Sequence, residues 1–303
     1  MSDDATTFRL GSRSVHRVGF GAMQLPGRGV FGPPRDRNEA IAVLRRAVEL
    51  GVDHIDTSQY YGPDVANELI SDALHPYPEE LSIVSKVGGR RDERGAWLGA
   101  QSPAELRAGV EDNLRTLRTD QLAAVNLRLI DDGSGSAALE DQLAEMAALR
   151  DEGKIAGIGI STADLAQVQT AARLVGIVCV QNAYSLLDRS DDAVLRFCAD
   201  EGIAYVPYFP LGSAIPGMAK VTEHPPVVAV AEEVGATPAQ VGLAWLLARS
   251  PNVLLIPGTS SRLHLEENVA SGGLVLGRAQ LNRLDDLDNL DGHGHMGTEP
   301  PAP

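Results

Sequence analysis

Gly51-Val-Asp-His-Ile-Asp-Thr-Ser-Gln-Tyr-Tyr-Gly62 is a short β-type run that ends in a carboxylate, Asp56, with a phenol, Tyr61, five residues further on. The next two β-type runs also finish on polar groups that an apolar strand does not need. Leu81-Ser-Ile-Val-Ser-Lys-Val87 carries Lys86, and Leu122-Ala-Ala-Val-Asn-Leu-Arg128 ends in Arg128. Parallel strands deliver all their C-terminal ends to one rim, so these groups are expected to meet there. A tyrosine ordinarily titrates near ~10. A neighbouring lysine cation favours the phenolate and lowers that value, and a carboxylate keeps the lysine charged and oriented. Such a phenol can protonate a carbonyl oxygen near neutral pH while another group delivers a hydride. One polar residue at a strand end reads as a cap or a salt bridge; three in succession, with Tyr61 beside them, read as catalytic. Tyr60 is the rival phenol. Arg128 cannot relay a proton, but it can polarise a carbonyl or hold an anionic substituent through two N–H groups. Its alternative is a structural pairing with Asp131 or Asp132.

Working outward, eight β-type runs alternate with helical patterns: Arg17–Met23, His54–Ser58, Leu81–Val87, Leu122–Arg128, Ile155–Ser161, Ile177–Gln181, Ala204–Phe209 and Val253–Pro257. Their apolar residues are continuous rather than alternating, as in strands covered on both faces. Between them, Arg37–Leu50 is helical and stops at Gly51, a C-cap glycine. Ser102-Pro-Ala-Glu105 and Thr237-Pro-Ala-Gln240 carry N-cap hydroxyls, first-turn prolines and capping-box partners. Asp164 and Ser190 are further cap candidates. The expected fold is a single α/β (β/α)8 TIM barrel over 1–290, followed by a flexible Gly- and Pro-rich tail at 291–303. The runner-up, an open doubly wound sheet, lacks the G-x-G-x-x-G turn and following acid near Gly27-Arg-Gly29 and Gly32.

Composition narrows the partners. The chain has 303 residues, 44% apolar, with a net charge of −15, which argues against nucleic acid or an anionic membrane surface. Its two cysteines, Cys179 and Cys198, make no disulfide framework. No basic-then-apolar leader and no run near ~20 apolar residues is present, so a cytoplasmic location is expected. His293 and His295 read as a solvated tail, and no metal site is expected.

The stretch Gly51–Gly62, with Lys86 on the following strand, resembles the aldo-keto reductase superfamily, whose pattern there is Gly-x-x-x-x-Asp-Thr-(Ala/Ser)-x-x-Tyr-Gly, a strand ending in Lys, then a strand usually ending in His. This chain reads Leu127-Arg128 in place of Leu-His. The resemblance runs from about Phe8 to about Asn289. It implies that Tyr61 is the proton donor, tuned by Asp56 and Lys86, and that Phe8–Val15 is a β-hairpin plugging the barrel floor. Asn126-Leu-Arg128, Gly21-Ala22-Met23-Gln-Leu25 and Phe31-Gly-Pro-Pro-Arg-Asp36 are similar to the bacterial pyridoxal reductase branch.

No side chain can supply a hydride, so a cofactor must. The resemblance implies NADPH, placed by Gly21, Ala22, Met23 and Asp56 and by Ser161 and Gln181 at the nicotinamide carboxamide. Tyr208 would stack on the ring, with Phe209, Pro210, Leu211, Gly212 and Ser213 leading to the pyrophosphate, and Gly258, Thr259, Ser260, Ser261, His264, Glu267 and Asn268 at the adenosine phosphate. Three positions depart from the family: Thr162 stands where Asn is usual, Gly258 where Lys is usual, and His264 where Arg is usual. Arg262 is a further candidate for a 2′-phosphate. The expected activity is NADPH-dependent reduction of an aldehyde, pyridoxal to pyridoxine, making the chain an oxidoreductase acting on CH–OH donors. The alternatives are other aldehydes or ketones, an NADH-preferring enzyme, and a weakly catalytic cofactor-binding regulatory subunit. Gln24–Pro34, Gly88–Ala100 and the tail are expected to shape the substrate pocket, with Trp97 and Phe31 as wall candidates. A monomer or small homo-oligomer is expected.

Overall fold

In the computed structural model, residues 6–130, 137–212 and 219–289 are described. The calls on Ser213, Asp131, Asp132 and the tail at 291–303, with His293 and His295, lie outside them. The chain opens with an antiparallel hairpin, β1 (Thr7–Leu10) and β2 (Arg13–His16). The parallel strands follow: β3 (Phe20–Gly21), β4 (His54–Asp56), β5 (Ser82–Arg91) with its antiparallel partner β6 (Trp97–Ala100), β7 (Ala124–Arg128), β8 (Ile158–Ser161), β9 (Cys179–Gln181) and β10 (Ala204–Tyr205). The run expected at Val253–Pro257 is not a continuous ladder, but it pairs on both sides. Val253 bridges Tyr205 and Leu255 bridges Val18. Leu254 N donates to Tyr205 O at 2.9 Å, and Leu255 N donates to Arg17 O at 2.8 Å. These bonds close the sheet into a barrel, so both of its edges are satisfied.

Among the described residues ten α-helices surround it: α1 (Arg37–Glu49), α2 (Val65–Leu74), α3 (Pro103–Leu117), α4 (Leu139–Asp151), α5 (Leu165–Val175), α6 (Asp192–Asp200), α7 (Pro225–Val234), α8 (Pro238–Arg249), α9 (Arg262–Ala270) and α10 (Arg278–Asp285). Their starts are written in the sequence. Ser102 with Glu105, Asp164 with Gln167, and Thr237 with Gln240 form reciprocal capping boxes. Each such cap contributes typically ~1 kcal/mol by satisfying N–H groups that have no partner within the helix. Ser190 is a correction. It bonds Asp188 at 2.7 Å, and α6 begins after Asp191, whose side chain makes no cap bond. Gly51 sits one residue beyond the true C-cap, Leu50, at φ +87, a conformation costly for any residue with a Cβ.

Strand alternation sorts the side chains. Val84, Ala124, Cys179, Ala204, Val206 and Leu254 form one cluster inside the barrel, and Leu10 and Val15 of the hairpin join it. The hairpin therefore plugs one end, and the strands run from that floor toward the opposite mouth. Ile55, Ile83, Val125, Leu127, Ile160 and Val180 belong instead to the larger core shared with the helices. Two residues beyond Val84, Ala124 and Cys179 stand Lys86, Asn126 and Gln181, so on these rows the chemistry changes from apolar to polar, which is where the site begins. No helix among the described residues is long and apolar enough to cross a membrane.

Candidate active site

Asp56 ends β4, and Lys86 lies on β5 two residues beyond the inward-facing Val84. Both are almost wholly buried, at 4% and 1% exposure. The Lys86 ammonium is ion-paired to Asp56 Oδ1 and donates to the Thr57 carbonyl at 3.0 Å. The second carboxylate oxygen of Asp56 accepts from Gln181 Nε2 at 2.9 Å. A buried ion pair survives only when its remaining lone pairs and protons are also matched, and these contacts do most of that. The Lys86 ammonium also stands 5.0 Å from the centre of the Tyr61 ring. Tyr61 is itself 5% exposed.

The two strands that carry the pair are pinned from behind. Thr57, next to Asp56, donates to Asn67 of α2 at 2.8 Å. Ser85, next to Lys86, donates to Asn113 of α3 at 2.5 Å. Asn67 donates to Asn113 at 2.9 Å and to Thr116 at 3.0 Å, which joins the two helices. This buried network fixes the Asp56–Lys86 geometry, and sequence reasoning missed it. Its only signal was a pair of asparagines on otherwise apolar helix faces.

Arg128 ends β7 in register with Ser161 of β8. Its guanidinium stands 5.3 Å from the Tyr208 ring. Among the described residues no ion pair or hydrogen bond engages that guanidinium. Gly88, at φ +101, makes room for this strand end, since a Cβ there would come within 2.3 Å of the Arg128 carbonyl oxygen.

The electrostatics correct one expectation. Burial pushes the Tyr61 phenol up, the Asp56 carboxylate raises it further, and Arg128 is the cation that draws it down. Tyr61 therefore sits above its ordinary value instead of below it. Desolvation disfavours the phenolate, and a sequence reading had counted charges without counting lost water. The Arg128 guanidinium is held above its ordinary value: desolvation opposes this, but the facing Tyr60, Tyr208 and Tyr61 and the Asp56 carboxylate outweigh it.

The remaining predicted positions fall along one side of the same mouth. Ser161 is buried at the end of β8, 3.5 Å from the Thr162 hydroxyl. Thr162 lies at φ +59, a left-handed conformation that asparagine tolerates and a β-branched residue does not. Gln181 ends β9 with its Oε1 buried and unpartnered, an acceptor that fits an amide N–H of a nicotinamide carboxamide. Tyr208 is half-buried, with Phe209 edge-on at 5.1 Å; Phe209 takes φ +55, and Pro210, Leu211 and Gly212 continue the turn. Gly21 and Gly258 press together: a Cβ on Gly258 would meet the Gly21 carbonyl at 2.8 Å. Ala22 is buried and Met23 half-buried beside them.

The segment after Gly258 is looser. Thr259 Oγ1 accepts from Ser261 N at 3.0 Å, and Ser261 caps α9 by accepting from His264 N. Ser260 and His264 are exposed. Asn268 is buried and Glu267 half-buried; the Glu267 backbone carbonyl accepts from Gln240 at 3.1 Å and the Asn268 backbone carbonyl from Ser271 at 2.5 Å. Arg262 is engaged by Glu39 of α1 at 3.0 Å, a pairing between residues far apart in the chain. Gly88–Ala100, expected as a loop, is instead the β5–β6 hairpin. Arg91 there stacks on Trp97 at 4.0 Å and Phe31 at 5.5 Å, tying the hairpin to the Gln24–Pro34 loop.

Comparisons with known proteins agree with this geometry. The model of the aldo/keto reductase family matches residues 17–289. Pyridoxine 4-dehydrogenase of Escherichia coli is 51% identical, over 93% of this chain and 98% of that protein. An uncharacterised oxidoreductase of Schizosaccharomyces pombe is 36% identical, over 94% of this chain and 90% of its own length. Among solved structures, an aldo/keto reductase from Klebsiella pneumoniae in complex with NADP and acetate superposes with a TM-score of 0.77 at 27% identity, covering 93% of this chain and 95% of that one. A barrel of seven parallel strands closed by the bridged run around Val253 and Leu255, a buried Asp–Lys pair beneath a tyrosine at its mouth, and matches that span almost the whole length place this chain, an oxidoreductase, in the aldo/keto reductase family.

Proposed function

We propose that this protein is an NADPH-dependent aldehyde reductase that converts pyridoxal to pyridoxine, with Tyr61 as the proton donor. The observation that carries the catalytic assignment is the buried Asp56–Lys86 pair set against the Tyr61 ring, with the Arg128 guanidinium, to which no described residue gives an ion pair or hydrogen bond, also acting on that phenol. NADPH, when bound, supplies the hydride. Tyr61, whose pKa burial raises, keeps its proton until the carbonyl oxygen becomes an alkoxide and then donates it. Arg128 and Lys86 stabilise the phenolate that remains. Gln181 offers its free Oε1 to the carboxamide while its Nε2 stays on Asp56, so cofactor orientation and the ion pair share one side chain.

The substrate assignment draws on the Escherichia coli relative, which is named for pyridoxine. Pyridoxal carries an ionisable hydroxyl beside its aldehyde, and a permanent cation suits that oxygen better than an imidazole. For the cofactor, the hydroxyls of Thr259, Ser260 and Ser261 at the start of α9 favour a 2′-phosphate. The Arg262–Glu39 pair is well exposed on the arginine side, so releasing Arg262 to a phosphate costs little. A cytosolic enzyme fits the charge and the reduced cysteines. An aldehyde panel followed by NADPH absorbance tests the reading. Pyridoxal is expected to give the highest kcat/KM; oxidation of NADPH with other aldehydes but not with pyridoxal would leave only the broader carbonyl-reductase activity.

A further inference from the structure

Tyr60 takes no part in the proton transfer described above, yet its hydroxyl is the least explained polar group at the mouth. The residue is 2% exposed, and among the described residues its hydroxyl oxygen has no hydrogen-bond partner. Native proteins rarely bury a hydroxyl this way, because the lost water bond goes uncompensated. Packing accounts for the ring alone. It lies edge-on to Tyr61 at 5.4 Å and to Trp97 at 5.5 Å, and over Gly89, where a Cβ would come within 3.4 Å of it. A phenylalanine would make the same contacts.

The surroundings say what the hydroxyl is suited to meet. Burial pushes its pKa up to about 12, against the pull of Arg128 and, more weakly, Lys86. At neutral pH it is therefore an O–H donor. The Ser58 hydroxyl is near enough to favour the ionised form slightly, but it turns to Gln59 at 3.2 Å and the Lys86 carbonyl at 3.4 Å. Tyr60 and Arg128 are near enough for each to act on the other's titration. An O–H donor and a permanent cation thus lie near the acid, and among the described residues neither donates a hydrogen bond. An oxygen set between this O–H donor and the cation would satisfy both, and because the Tyr60 ring lies against Tyr61 at 5.4 Å that oxygen would stand next to the reacting carbonyl.

We infer that Tyr60 is a specificity-determining residue whose hydroxyl donates a hydrogen bond to an oxygen substituent ortho to the aldehyde of an aromatic substrate, in concert with Arg128. The inference rests on the carbonyl-reductase reading and deepens it. The favoured class is ortho-hydroxy aromatic aldehydes, and the residue that discriminates lies one position before the proton donor.

The test uses the full chain loaded with NADPH, as wild type and as Tyr60→Phe, with pyridoxal, 2-hydroxybenzaldehyde and benzaldehyde. A hydrogen bond to an ionised oxygen supports a selective loss of ~tenfold or more in kcat/KM. That loss is expected for both hydroxy aldehydes and carried mainly by KM, with benzaldehyde unchanged. The thermal midpoint should hold or rise, because the substitution removes an unpartnered buried hydroxyl. Binding of 2-hydroxybenzoate against benzoate, measured as inhibition of benzaldehyde reduction, gives a second readout: wild type should prefer the hydroxy acid and the variant should not. An equal fall on all three aldehydes, no fall on any, or a lowered midpoint overturns the inference while leaving the reductase reading intact. A wild type that reduces none of the three removes both.

Discussion

The mouth of the barrel holds polar groups in two different states of preparation. At the ends of β4 and β5 the protein answers its own charges: Lys86 meets Asp56 and the Thr57 carbonyl, Asp56 meets Gln181, and Asn67 and Asn113 hold the strands from behind. At the start of α9 the polar groups are exposed or engaged with one another. Arg262 is on Glu39, Ser261 is on its own helix, and Ser260 and His264 face solvent. The first region is built to one geometry before anything binds, and the second is built to be rearranged. Substitutions should therefore be severe and specific in the first and mild in the second.

The largest effect is expected at Tyr61. Tyr61→Phe removes the acid and should lower reduction by ~10²–10⁴-fold with NADPH binding nearly intact. The raised phenol also fixes a pH profile. An acid acts while protonated, and burial extends that range upward, so reductive kcat/KM should stay level through neutral pH and fall only above the ordinary tyrosine range. A decline beginning near neutrality would contradict the assignment and direct attention to another group.

Next comes the ion pair. Lys86→Met strands the Asp56 carboxylate in a buried site, and breaking such a pair typically costs ~3–5 kcal/mol. Urea unfolding measures it, and a loss under ~1 kcal/mol would mean that Gln181 alone suffices to hold Asp56. Arg128→His should then cost ~10–100-fold in kcat/KM with pyridoxal, and less with benzaldehyde, since only pyridoxal offers an oxyanion to the guanidinium. Equal losses would reduce Arg128 to a general electrophile.

The reading of residues into structure succeeded where local pattern decides the outcome. Asp56, Lys86 and Arg128 stand at the mouth because each ends, or nearly ends, a β-run whose apolar stretch is long enough to recognise. Ser102, Asp164 and Thr237 cap helices because capping is a matter of three or four residues. It failed where the outcome depends on a partner outside the segment being read. Gly88-Gly89-Arg90-Arg91 reads as a loop, and only pairing with Trp97–Ala100 makes it a strand. Glu39 lies 223 positions from Arg262, and nothing in either segment announces the other. The direction of the Tyr61 shift was misread for the same reason, since burial is a property of the whole barrel.

The smallest effects belong to the adenosine end. Glu39→Gln frees Arg262 from an exposed ion pair, so NADPH binding should tighten by no more than about fivefold, as fluorescence quenching would report. A change beyond ~tenfold in either direction would show that this end is as prepared as the other. Thr162→Asn relieves a β-branched residue at φ +59 and should raise stability by ~1 kcal/mol; a loss of stability would mean that the threonine methyl packs usefully there.

The central claim is that the prepared end of this mouth carries out hydride-coupled reduction of pyridoxal. A rapid-mixing single-turnover experiment, with enzyme saturated by NADPH and mixed with excess pyridoxal, reads it directly. The prediction is loss of one equivalent of NADPH absorbance per active site in wild type and almost none, on the same timescale, in Tyr61→Phe. Unchanged NADPH absorbance in the wild type, with cofactor shown to be bound, would contradict the claim and favour a cofactor-binding protein with little turnover of its own.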